Sequence, residues 1–367
     1  MKINSSHNST YRPPHRLAVS YPKTASSPQK HFMPHIRRIN GPQRPLSHLS
    51  ALAARLSNLS PMHWKNTYHI ICMDVVYGGS SLYLNEIASR FQISVSFVDL
   101  CDVQNLQKKM KPNTKLIWIE SPTNPTMKVV DIGIISGYAK SQNPDVIVVV
   151  DNTFLSSYFQ KPLSLGADIS MYSLSKYMNG HADVVMGAVV TNSETLYADL
   201  KFIQQGSGAI PSPFDCYLVD RSLKTLSVRM KQHMENGLRV ARFLESHPMV
   251  IKVLHPGLES HPGHQIAKKQ WSGCSGMLSF YIKGGLGEAK LFVKKLKYFI
   301  YAGSLGGCES LIVIPSLMSH LPVPPSIREK LGISDNLIRV SVGLESVDDL
   351  IEDLDQAFLA VQLAENK

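Results

Sequence analysis

The first 73 residues contain no aspartate or glutamate. They do contain ten basic residues: Lys2, Arg12, Arg16, Lys23, Lys30, Arg37, Arg38, Arg44, Arg55 and Lys65. Setting these apart leaves 28 basic residues against 28 acidic ones, so the formal charge of +10 belongs to the N-terminus. The body of the chain is neutral, and nothing in it asks for nucleic acid. No apolar run approaches the ~18 residues of a membrane-spanning helix, so no membrane partner is expected. Cysteine is sparse: Cys72, Cys101, Cys216, Cys274 and Cys308 form no C-x-x-C and no metal-ligand spacing. That excludes a disulfide framework and a zinc site, and it fits a reducing, cytoplasmic compartment.

The Ser-, Pro-, His- and Arg-rich stretch over residues 1–66 reads as a basic, disordered N-terminal segment. A mitochondrial leader is the other reading of an acid-poor N-terminus containing Arg and Ser. Pro13, Pro14, Pro22, Pro28 and Pro34 oppose the continuous amphipathic helix such a leader needs.

From Tyr68 onward, short apolar runs alternate with helical patterns. HIICM, SVSFVDL, KLIWIE and VIVVVD read as strands. LYLNEIASRF, with Leu84, Ile87, Ala88 and Phe91 on one side, reads as a helix, as do DVQNLQKKM opened by Asp102 and DIGIISGYAKSQ. DVVYGGSS reads as a Gly-Gly turn. Continuous rather than alternating apolar strands signify a mostly parallel α/β sheet covered on both faces. In such sheets ligands sit beyond the carboxyl ends of the strands. Tyr77, Asn124 and Asp151 all fall there, so one ligand could touch all three. Further on, Met230, Met234, Leu238, Ala241 and Leu244 form a core-facing helical stripe. Longer helices and fewer strands then indicate a smaller α+β domain. The expected domains are 67–228 and 229–367, after the segment 1–66.

The chemistry concentrates in residues 168–187, DISMYSLSKYMNGHADVVMG. Here Lys176 lies in S-L-S-K with Ser173 and Ser175, between ISMY and VVMGAVV, both read as short buried strands. Alone, such a lysine is more often a loop lysine than a catalytic one. Asp151, 25 residues upstream at the end of VIVVVD, changes that balance. A strand-end aspartate, an inter-strand lysine and flanking hydroxyls suit pyridoxal 5'-phosphate. The lysine forms the Schiff base, the aspartate holds the pyridinium nitrogen protonated, and the hydroxyls meet the phosphate.

Several long motifs together resemble the pyridoxal-phosphate-dependent enzymes of cysteine and methionine metabolism. They are IICMDVVYGGS, IESPTNPTMKVVDI, the run VVVDNTFLSS through ADVVMG, GAIPSPFDCYLVDRSLKTLSVRM and LGISDNLIRVSVGLES. The resemblance covers about residues 69–362. It implies a type I, aminotransferase-like large domain and a homo-oligomer, usually a tetramer. It also implies a carbon–sulfur lyase acting on a small sulfur amino acid, by α,γ-elimination of L-cystathionine to cysteine, 2-oxobutanoate and ammonia. By position, Lys176 matches the cofactor-binding and proton-shuttling lysine, Asp151 the pyridinium partner, and Tyr77 the tyrosine that stacks on the ring and assists proton transfer. Asn124 matches the amide beside the ring hydroxyl, and Ser173 and Ser175 match phosphate contacts. Arg339 matches the clamp on the substrate carboxylate, and Ser304 the serine that orients the lysine.

Departures accompany the match. The Tyr-x-Arg segment and the Ser-Gly-x-Ala-Ala phosphate turn expected before Tyr68 are not found, so a block of roughly sixty residues is expected to be missing there. Leu82 stands where the family often has arginine, and Gly303 where a substrate-facing glutamate is usual. Two other readings therefore stand beside the lyase. One is another γ- or β-lyase or γ-synthase; the other is an inactive or truncated relative acting at most as an associating subunit.

Overall fold

The computed structural model describes residues 68–321 and 323–365. The expectations for residues 1–66, including the missing phosphate turn, lie outside the described residues.

Six strands form the first sheet: β1 (His69–Met73), β2 (Ser94–Val98), β3 (Thr114–Glu120), β4 (Ile147–Asp151), β5 (Ile169–Ser173) and β6 (Gly187–Thr191). Their order is β2-β1-β3-β4-β5-β6. All neighbours pair parallel except β5 with β6, which run antiparallel. The continuous apolar runs of β1 and β4 are buried on both faces, as expected for strands covered on each side.

Helices α1 (Gly78–Leu82), α2 (Val103–Lys109), α3 (Ile132–Gln142), α4 (Glu194–Ser207) and α5 (Pro213–Leu223) accompany this sheet. Asp102 starts α2 by accepting from the Gln104 amide at 2.8 Å, and Asp131 starts α3 by accepting from Ile134 at 3.1 Å.

A second sheet has the order β7 (Val250–Leu254), β8 (Met277–Ile282), β11 (Leu337–Ser341), β10 (Leu311–Val313), β9 (Ile300–Tyr301). Helices α7 (Leu286–Lys295) and α8 (Val347–Glu365) pack with it. The 21-residue helix α6 (Leu226–Ser246) joins the two halves. Leu226 and Met230 belong to the first core, while Val240, Ala241 and Leu244 belong to the second.

Three local readings change. The Gly78-Gly79 pair opens α1 rather than a turn. Neither glycine needs positive φ. A Cβ at Gly78 would lie 2.9 Å from the Ser319 carbonyl oxygen, and one at Gly79 would lie 2.6 Å from the Tyr77 ring. The glycines therefore grant close approach. Next, the chain widens to a π turn over Tyr83–Ile87 and tightens to a 3₁₀ turn over Ala88–Phe91. That breaks the 3.6-residue phase, so Leu84 and Ala88 are buried while Ile87 and Phe91 face out. Finally, β6 begins only at Gly187. Val184 and Met186 are buried ahead of it, but Val185 is 87% exposed.

Candidate active site

The carboxyl ends of β1, β3, β4 and β5 surround a cavity of about 910 Å³, closed on the far side by the second sheet. Tyr77, Asn124, Asp151, Ser173, Ser175, Lys176, Gly303, Ser304 and Arg339 all line it, as does Glu120. Every site residue expected from the sequence thus meets at one cavity. Leu82 instead lies on α1, largely exposed.

Lys176 sits in a π turn, Leu174–Met178, at the end of β5, with non-helical φ −102° and ψ −135°. Its Nζ donates to Ser304 Oγ at 2.6 Å. Burial, followed by the Arg339 charge, lowers its pKa. An amine so placed sheds its proton more readily than a surface lysine. Ser304 has φ +82°, a costly conformation for a residue with a Cβ. Its hydroxyl accepts from Lys176 while its carbonyl accepts from Arg339 Nη2 at 2.7 Å.

Arg339, on β11, is buried, and its Nη1 donates to Asn124 Oδ1 at 3.0 Å. Its Nε has no partner. Burial lowers its pKa to about 10. A buried guanidinium held only by neutral oxygens is matched to an incoming carboxylate.

Asp151 ends β4, and its Oδ1 accepts from the Thr153 amide at 2.9 Å. Burial raises its carboxyl to about 6. Glu120 ends β3 in register with Asp151. Among the described residues no ion pair joins either carboxyl. The cavity floor therefore favours a cation, and a protonated pyridine ring is such a group. On this observation the donor set fits pyridoxal phosphate.

The hydroxyls are unequal. Ser175 Oγ accepts from the Met186 amide at 2.9 Å and lies 3.2 Å from the Met186 carbonyl oxygen, to which it donates. Ser173 uses its amide on Thr153 Oγ1 at 2.9 Å, and its side chain lines the cavity. Sequence reasoning missed Glu120 and Thr153. Both lie in motifs already singled out, and Glu120 had a readable signal as a charged residue closing an apolar strand.

The chain matches the family described as Cys/Met metabolism PLP-dependent enzyme over residues 6–359 and belongs to it. The match begins well before residue 69, where the motif resemblance starts. Pyridoxal phosphate is therefore the cofactor. Among curated relatives, the chain is 54% identical to pig (Sus scrofa) cystathionine gamma-lyase over 322 residues, covering 88% of this chain and 79% of the relative. It is 53% identical to human (Homo sapiens) cystathionine gamma-lyase over 325 residues, 89% of this chain and 80% of the relative. It is 47% identical to cystathionine gamma-lyase of Dictyostelium discoideum over 337 residues, 92% and 86% respectively.

Proposed function

We infer that this chain is a carbon–sulfur lyase that cleaves L-cystathionine, with water, to L-cysteine, 2-oxobutanoate and ammonia. The observation that carries this reading is the bridge through Ser304. One residue holds the Lys176 amine by its hydroxyl and the Arg339 guanidinium by its carbonyl. A base and a carboxylate clamp are thereby fixed relative to each other, as proton removal at Cα requires.

Lys176 would be the point of cofactor attachment. Asp151 would hold the ring nitrogen as a cation, and Ser173, with Ser175, would meet the phosphate. Tyr77 and Asn124, which line the same cavity, would hold the ring. When bound, pyridoxal phosphate supplies the electron sink that acidifies the substrate's Cα–H. Arg339 grips the α-carboxylate. Lys176, freed as an amine, would take the Cα proton, hand it back to the cofactor-bound substrate, and, an amine again, take a Cβ proton. Tyr77 assists protonation of the departing γ-sulfur, and the carbon–sulfur bond breaks. Release of hydrogen sulfide from cysteine would use the same base and clamp.

A homo-oligomer is part of this reading. Tyr77 and Val185 are large, exposed groups at the cavity wall that a second subunit would cover. The five free cysteines support a cytoplasmic setting. Among the described residues no helix is long and apolar enough to cross a membrane.

The test is an assay of 2-oxobutanoate released from L-cystathionine by the cofactor-supplemented protein, with light scattering for its mass. Turnover lost in Lys176→Ala is expected. Absent turnover together with absent cofactor binding would point instead to a non-catalytic associating subunit.

A further inference from the structure

Glu120 touches the site but has no part in the scheme above. It is 4% exposed, and both of its oxygens face the Tyr77 amide, at 2.9 and 3.0 Å. Parallel register sets it beside Asp151 on one face of the sheet. The groups around the pair come from every neighbouring strand. Cys72 lies on β1, its thiol pushed up by burial and by Glu120. Tyr172 lies on β5, its hydroxyl pushed up by burial with a smaller push from Asp151. Tyr77 follows β1. None of these is a cation. Lys176 and Arg339 line the same cavity, but the hydrogen bonds they make go to Ser304 and Asn124 and none goes to either carboxyl.

Two carboxylates side by side, buried and without a cation, cannot both hold a charge, so one proton stays with the pair. The two residues differ in what they face. Both line the cavity, but Asp151 is the more open of the two, and a cationic ring nitrogen there would compensate its charge. Glu120 faces only neutral donors, the Tyr77 backbone N–H and the nearby Trp118 indole.

We propose that Glu120 is a positioning residue that works as a neutral acid, holding the Tyr77 backbone in place while leaving the only negative charge under the cofactor ring to Asp151. The proposal rests on the reading of Asp151 as partner of the ring nitrogen. A neutral Glu120 keeps the floor at one charge against one cation. It also ties the aromatic that covers the ring to the strand beside the one that holds the ring. The raised pKa of Glu120, caused by burial first and by Asp151 second, agrees with this assignment.

The experiment compares Glu120→Gln, Glu120→Leu and Asp151→Asn in the full chain. Each is read by the dissociation constant of pyridoxal phosphate, by thermal unfolding and by infrared difference spectroscopy. Glutamine keeps an acceptor for the Tyr77 N–H and is uncharged. Its cofactor dissociation constant is expected within about threefold of wild type, because acceptor replaces acceptor. Leucine orphans a buried donor, and cofactor affinity should fall at least about tenfold. If Glu120→Leu does not fold, the infrared measurement still decides. Wild type at neutral pH should show the carbonyl band of a protonated carboxylic acid, and Glu120→Gln should lose it. The proposal is overturned if that band is missing from wild type. It is also overturned if Glu120→Gln weakens cofactor binding tenfold or more with unchanged folding, since Glu120 would then be contributing charge. Asp151→Asn should lose cofactor affinity in every case. If it does not, the premise about Asp151 fails, and the proposal with it.

Discussion

At the scale of single residues, the site keeps charged groups under conditions that favour the ligand over the fold. Asp151 shows this most directly. Its folded pKa of about 6 lies above the ordinary 3.8, so between those values the folded state binds more protons than the unfolded one. Stability therefore falls as pH rises through that window, by at most about 3 kcal/mol. Asp151→Asn should accordingly raise the melting temperature of the cofactor-free protein at pH 7 to 8. Near pH 4 it should have little effect, and scanning calorimetry at the two pH values checks both. Arg339→Lys is the second case. A lysine cannot supply the planar fork that binds Asn124, Ser304 and a carboxylate together. KM for L-cystathionine should rise on the order of tenfold or more, with a smaller change in kcat. Steady-state kinetics separate the two constants. That these residues belong to one site was legible in the sequence because chemically distinctive residues closed apolar strands or sat in long motifs. The Ser304 conformation, the Met186 bond to Ser175 and the pairing of Glu120 with Asp151 were not. They depend on contacts across up to 128 residues of chain or on strand register.

At the scale of elements, the turn carrying Lys176 is held from its far end. Arg229 on α6 donates to the carbonyls of Tyr177 at 2.6 Å, Met178 at 3.1 Å and Ser222 at 3.0 Å. Gly180 has φ +74°, and a Cβ there would come within 2.3 Å of Arg229 Nη1. Gly180→Ala combines backbone strain with displacement of a buried guanidinium. We expect a loss of about 2 kcal/mol or more and a fall in kcat larger than that of a stability-matched variant in the second core. Denaturant unfolding with parallel kinetics would show both. The strands were readable as apolar runs because burial on both faces removes ambiguity about which residues must be apolar. Ile87, Phe91 and Val185 were misread for a shared reason. Each is apolar in a segment whose winding or strand start departs from the regular period that its local pattern suggests.

At the scale of the whole molecule, two cores share one long helix, and the neutral state of several buried histidines is part of that packing. His69, His233, His255, His261 and His320 are all buried, and burial lowers each to about 4. These groups carry the opposite sign to Asp151. Below the unfolded value of 6.5, the unfolded chain binds protons that the folded one refuses. Each therefore withdraws up to about 3 kcal/mol as pH falls from 6.5 toward 4. Urea midpoints should drop steeply across that interval, and His255→Gln should flatten the slope.

The claim on which the rest depends is that Lys176 is the attachment point of the cofactor in this chain. The most direct measurement is borohydride reduction of the pyridoxal-phosphate-loaded protein, followed by peptide mass spectrometry. The account predicts one modified lysine, Lys176, and no modification at any lysine in Lys176→Ala. A label on another lysine, or none in the unmutated protein, would contradict it.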